Sequence, residues 1–184
     1  MVEISLHVLD IVHNSIKANA SLIEISICED TAANVLSITI QDDGCGMSED
    51  FLKEVTDPFR TTRTTRKVGL GISMFKSAAE LTGGNFEIWS EVGKGTGLRA
   101  VFVHDSIDRQ PLGDMAATIT TIINANPDID YVYKHSFNGR EFDFDTREVK
   151  SVLGDEVSLS QPDVLNWIDR LIKNETENIY GGAA

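Results

Sequence analysis

Three groups of residues in this chain have types and spacings that could do chemistry. The first is Asp10, Asn14 and Lys17. At helical pitch, steps of four and three residues place an acid, an amide and an ammonium on one face. Such a face can serve a water or hydroxyl, a divalent cation and a phosphate; an ordinary solvated face carries the same residue types. The second group is Asp43-Gly44-Cys45-Gly46, at the end of a strand-like run. A carboxylate there can accept a hydrogen bond from an exocyclic amine, and the glycines let a flat ring approach the backbone. Asp-Gly pairs are also common in simple turns. The third group is Gly69-Leu70-Gly71, placed to open a helix whose first N–H groups and dipole favour phosphate. The basic stretch DPFRTTRTTRKV, residues 57–68, leads into it, with Arg60, Arg63, Arg66 and Lys67 against the single acid Asp57.

The elements that must position these groups follow from periodicity. Ile4, Val8, Ile11, Val12 and Ser15 form a helical stripe over residues 3–19. Ile23, Ile25 and Ile27, and then Leu36, Ile38 and Ile40, alternate with polar residues as half-buried strands do. Ser48 can cap a short helix carrying Glu49 and Asp50 in its first turn. A helix over residues 70–82 is stopped by Gly83-Gly84, and the strands NFEIWSE and LRAVFVH are joined by the Gly93–Gly97 turn. Beyond His104 the stretch DSIDRQPLGD reads as a linker. It is followed by a helix over residues 113–125 and by two strands flanking Asn138-Gly139, a hairpin signal. A closing helix from about Asp163 carries the stripe Val164, Trp167, Ile168, Leu171 and Ile172, expected to face the core.

Composition narrows the class of function. The 184 residues carry 16 Lys+Arg and 29 Asp+Glu, a net charge of −13. This argues against general nucleic-acid binding, which needs cations to displace phosphate counterions, and against anionic membrane surfaces. No apolar run approaches the roughly 20 residues of a bilayer span. The start MVEISLHVLD lacks the basic and apolar regions of a secretion signal. Cys28 and Cys45 have neither metal nor redox spacing and read as reduced cytoplasmic thiols. Of the 29 acids, 15 lie in residues 105–184, against 7 bases there.

Taken in chain order, the three groups resemble the ATP-binding boxes of the GHKL ATPases, the superfamily of gyrase B, Hsp90, histidine kinases and MutL. Asp10, Asn14 and Lys17 resemble the N box, Asp43-Gly44-Cys45-Gly46 the G1 box, and Gly69-Leu70-Gly71-Ile72 the G2 box. Residues 57–62 are similar to the lead into the lid of sensor histidine kinases, and Gly93-Lys94-Gly95-Thr96-Gly97 to the turn whose Thr helps hold adenine. The likeness covers about residues 3–104 and is nearest to the histidine-kinase catalytic domain.

The resemblance implies an α+β, two-layer Bergerat fold: a mixed sheet with helices on one face and ATP between helices and lid. It divides the chain into an ATP-binding domain, 1–104, and a small α+β C-terminal extension, 105–184. It implies ATP and Mg²⁺ as cofactors, with Asn14 on the metal, Lys17 on phosphate and Asp43 on the adenine amine. Gly44, Gly46, Met47, Phe59, Arg60, Thr61, Thr62, Arg63, Val68, Gly69, Leu70, Gly71 and Thr96 would complete the nucleotide site.

Asp10 stands at the position of the hydrolases' base, usually Glu, and is one methylene shorter, so slow or absent hydrolysis is expected. The first helix begins almost at Met1, leaving no room for an acceptor-histidine hairpin. The expectation is therefore a stand-alone, kinase-type domain in the cytoplasm that acts on a separate protein. A non-catalytic ATP-gated module and a slow ATPase are the rival readings. The C-terminal part resembles no named unit. It reads either as an extra layer on the sheet or as a partner or homodimer surface.

Overall fold

The computed structural model describes residues 3–55, 70–154 and 157–181. Its elements run α1 (Ile4–Lys17), β1 (Leu22–Asp30), β2 (Val35–Asp42), α2 (Glu49–Val55), α3 (Gly71–Leu81), β3 (Asn85–Glu91) and β4 (Gly95–Val103). Then come α4 (Met115–Ala125), β5 (Asp130–Phe137), β6 (Arg140–Asp145), α5 (Thr146–Leu153) and α6 (Pro162–Ile179). The six strands form one mixed sheet in the order β3-β4-β2-β1-β5-β6, with only the β1–β5 pair parallel.

Period-2 alternation decides which face is covered. Ile23, Ile25 and Ile27 of β1, Leu36, Ile38 and Ile40 of β2, Leu98, Ala100 and Phe102 of β4, and Tyr131 and Tyr133 of β5 are all buried. Against them pack Ile4, Val8, Ile11 and Val12 of α1, Phe75 and Ala79 of α3, Ile119, Ile122 and Ile123 of α4, and Ile168 and Ile172 of α6. Glu24, Cys28, Arg99 and Lys134 alternate onto the other, open face. This is the expected two-layer α+β fold with helices on one side.

Four details depart from the sequence reading. Residues 105–184 do not form a layer apart: β5 and β6 extend the same sheet, with β5 beside β1. The linker is fixed in place: the amides of Ile4 and Ser5, which no helical carbonyl could receive, donate to Pro111 and Leu112 at 3.0 and 2.9 Å. Helix α5 was not anticipated: its eight residues are shorter than the stretch over which a helical period is read, although Val149, Val152 and Leu153 share one face. Trp167, expected in the core, is 51 % exposed; the helix buries Ile168 and Ile172 and leaves the indole outside.

A buried polar knot joins the two parts of the chain. Glu29 continues the inward row of β1 and is 6 % exposed. Its carboxylate accepts from His135 Nε2 at 3.0 Å, from His104 Nε2 at 3.1 Å and from the Tyr180 hydroxyl. Tyr133 Oη lies 3.0 Å from the other nitrogen of His135. Burial pushes the Glu29 carboxyl up, but the hydrogen bonds from His135, Tyr180 and His104 outweigh it and hold it below its ordinary 4.5.

A group held below its unfolded value contributes stability that is complete above that value and lost as pH falls through the folded one. Glu29→Gln is therefore expected to lower stability at pH 7 by on the order of 2 kcal/mol. It should also flatten the loss of stability below the carboxylate range, as urea unfolding of both proteins at neutral and acid pH would show.

Candidate functional site

A cleft of about 740 Å³ lies between α1, the end of β2, α2 and the β3–β4 turn. Ile11, Asn14, Ser15, Lys17 and Ala18 of the α1 region line one wall. Asp42, Cys45, Gly46, Met47, Ser48, Phe51, Ile72, Thr96 and Leu98 complete it. Apolar walls around a few placed polar groups are what a small-molecule site requires.

Its polar centre is Asp42, 8 % exposed. Ser15 Oγ donates to Oδ2 at 2.6 Å; the amides of Gly44 and Thr96 donate to Oδ1 at 2.9 and 3.3 Å. An ionised carboxylate offers about four acceptor positions. Three are used, so one remains on the Oδ2 side for a donor entering the cleft.

The neighbouring acid faces elsewhere. Asp43 accepts from the amides of Ser21 and Leu22 at 2.7 and 2.9 Å and from the Ser21 hydroxyl, and it does not line the cleft. The little burial it has pushes its carboxyl up, but the Ser21 hydroxyl and the Leu22 and Ser21 amides prevail and hold it below the ordinary carboxylate value. This corrects the sequence reading: Asp43 closes a turn, and the cleft acid is Asp42. The signal was present in the sequence. Leu36, Ile38 and Ile40 set the inward parity of β2, and that parity continues to Asp42, whereas Asp43 falls on the other face.

The loop after Asp42 is stitched to the β3–β4 turn. The Gly93 amide donates to Cys45 O at 2.8 Å and the Met47 amide to Ser90 Oγ at 2.8 Å. Ser90 Oγ also donates to Gly95 O at 2.9 Å and lies 2.8 Å from the Thr96 hydroxyl. Gly46 has φ +67°, and a Cβ there would sit 2.0 Å from Glu91 O. Both the conformation and the close approach require glycine.

The remaining expected residues divide as follows. Asn14, Lys17, Gly46, Met47 and Thr96 come together in the cleft. Gly44 does not line it; its amide donates to Asp42, and a Cβ there would stand 2.9 Å from the Ala18 Cβ. Gly71 packs against Asp10, and a Cβ on Gly71 would stand 3.0 Å from the Asp10 Cβ. Neither Asp10 nor Gly71 lines the cleft, and Leu70 lies in a separate surface hollow beside His7. Phe59, Arg60, Thr61, Thr62, Arg63, Val68 and Gly69 lie outside the described residues. Ile11, Ser15, Phe51 and Leu98 were not anticipated, because only the packing of α1, α2 and α3 around β2 and β4 brings them to one place, and Ile72 of the glycine motif joins them there.

Residues 2–106 match the family model described as histidine kinase-, DNA gyrase B- and HSP90-like ATPase. A sensor protein of Shewanella frigidimarina is 34 % identical over 96 residues, 51 % of this chain and 15 % of that protein. The sensor kinase CckA of Brucella abortus is 35 % identical over 83 residues, 45 % of this chain and 9 % of that one. The chain thus spans only a small part of these relatives. Among solved structures, the N-terminal domain of a DNA repair protein superposes with a TM-score of 0.52 at 18 % identity, covering 84 % of this chain and 58 % of that one. That likeness concerns the fold. Among the described residues no helix is long and apolar enough to cross a membrane.

Gly46→Ala is expected to force the loop off the β3–β4 turn and to cost about 2 kcal/mol or more. Gly93→Ala has no such neighbour and only the positive φ to strain, so it should cost less; thermal unfolding of the two variants would compare them.

Proposed function

Because the chain belongs to the histidine kinase-, DNA gyrase B- and HSP90-like ATPase family, we propose that it binds Mg-ATP in the α1–β2 cleft and acts as a kinase-type domain on a separate cytoplasmic protein. The observation that carries the reading is the buried Asp42 carboxylate, braced by three donors and left with one free acceptor position at the cleft floor. In this reading Asp42 accepts from the exocyclic amine of adenine, and the backbone around Gly46 lies against the ring. Asn14 holds the metal ion and Lys17 faces phosphate. Thr96 fixes Asp42 through its amide and is itself fixed through Ser90. The cleft volume and its mixture of apolar wall and single carboxylate fit a nucleotide base.

Bound Mg-ATP supplies a transferable γ-phosphoryl group, and the protein's part in such chemistry is mostly positioning and charge stabilisation. Residues 57–69 belong to the same proposal as the cationic cover, and residues 1–104 and 105–184 as ATP-binding unit and extension. Among the described residues lining the cleft, Asp42 is the only carboxylate. Asp10 is exposed beside Gly71 and does not line the cleft. This disfavours hydrolysis, because a base must reach its water before its pKa matters. The same observation supports a second reading, an ATP-gated module that binds a partner without transferring phosphate.

Asp42→Asn is expected to weaken ATP binding by about tenfold or more, since one amide hydrogen then opposes the donors around it. Asp43→Asn should leave affinity within about twofold, because its bonds are local to a turn. Calorimetry with Mg-ATP would measure both, and binding indifferent to Asp42→Asn overturns the site. Incubation with γ-labelled ATP and cell extract separates the two readings. A labelled partner that vanishes with Asn14→Ala supports the kinase, whereas tight binding with neither label nor released phosphate supports the gated module.

A further inference from the structure

The acidic C-terminal region presents a second cavity, about 550 Å³, remote in the sheet order from β2. It lies between the edge strand β6, α5 and α6. Phe144, Val149, Val152, Leu153, Val164, Trp167 and Leu171 form an apolar lining, and Asp143, Asp145, Glu148 and Asp163 form its acidic part. Val152 is 85 % and Trp167 51 % exposed, so two large apolar side chains face solvent side by side with carboxylates. Arg147 pairs with Asp145 at 2.6 Å. Among the described residues Glu148 and Asp163 have no ion-pair partner; Asp143 lies opposite Lys134 in the β5–β6 register.

We propose that this groove is a docking site for an amphipathic helix of a partner protein, with Lys or Arg flanking its apolar face. The apolar lining offers the burial that drives helix-in-groove recognition. The unpaired carboxylates of Glu148 and Asp163 select a basic segment by charge complementarity and reject an acidic one. The same charge argues against a second copy of this chain. Antiparallel pairing of two β6 edges would bring Glu141, Asp143 and Asp145 of one copy against the same acids of the other, and like charges opposite one another are unfavourable.

The test uses the full chain carrying Trp89→Phe, which leaves Trp167 as the sole indole. The probe is a synthetic Leu/Lys amphipathic peptide of about four helical turns, compared with a Leu/Glu peptide of the same pattern. Docking should shift Trp167 emission to shorter wavelength with the Leu/Lys peptide only. Glu148→Lys with Asp163→Lys should weaken that binding by about tenfold and confer binding of the Leu/Glu peptide. Val152→Ser should weaken it with the charges intact, and an unchanged far-ultraviolet spectrum would confirm that each variant is folded. The proposal is overturned by absence of binding, by equal binding of both peptides, or by binding that survives the charge reversal. A dimer in sedimentation that Val152→Lys disperses would also overturn it, by assigning the groove to a second copy.

Discussion

The hydrogen bond from Ser15 to Asp42 is the interaction on which the site depends. A carboxylate withdrawn from water is costly unless donors replace the water, so Asp42 is tolerable at its depth only because Ser15, Gly44 and Thr96 converge on it. Each donor comes from a different piece: α1, the loop after β2, and the start of β4. Satisfying one buried charge therefore fixes the helix, the glycine loop and the hairpin turn relative to one another. Asn14 and Lys17, on either side of Ser15, are carried to the cleft by the same bond. The close packing of Gly46 and Gly95 against neighbouring backbone follows, since the loop must lie flat on the turn for both amides to reach.

The opposite end of the same strand pair repeats the device. In the antiparallel register of β1 and β2, Ile23 lies beside Asp42 and Glu29 beside Leu36, so each inward apolar row ends in a buried acid. At the Asp42 end the carboxylate retains an acceptor position and faces a cleft. At the Glu29 end it is closed off by His104, His135 and Tyr180. The first centre keeps an acceptor position open toward the cleft; the second binds the chain to itself. Because Tyr180 follows α6 and His135 lies on β5, the Glu29 knot holds residues 105–184 to the sheet that also carries the cleft. The amides of α1 docked on Pro111 and Leu112 add a direct link from that region to the helix bearing Asn14 and Lys17.

Much of the fold was legible because its elements are amphipathic at a clear period. The alternating runs of β1 and β2, the stripe of α1 and the Asn138-Gly139 turn each follow from spacing alone, and the order of the glycine motifs pointed to the right family. What failed did so for local reasons. Asp42 and Asp43 are adjacent and chemically identical, and motif reading chose the acid next to the glycine. Strand parity assigns the inward position to the other. Trp167 belongs to an apolar stripe wider than the core that α6 covers, and nothing in the stripe itself says which edge stays outside.

The sequence by itself determined the classes of element, the family and the asymmetric spread of charge, because these are properties of residue type and of spacing along one segment. Only the tertiary structure decided that residues 105–184 complete the sheet, that Asp10 packs on Gly71 away from the cleft, and that a second apolar groove sits among unpaired acids. Each of these depends on a contact between residues far apart in the chain: β5 chooses β1 as a neighbour, α3 starts against α1, and α6 folds back beside β6. Local periodicity fixes which face of an element is apolar; which other face it meets is set by the packing of the whole core.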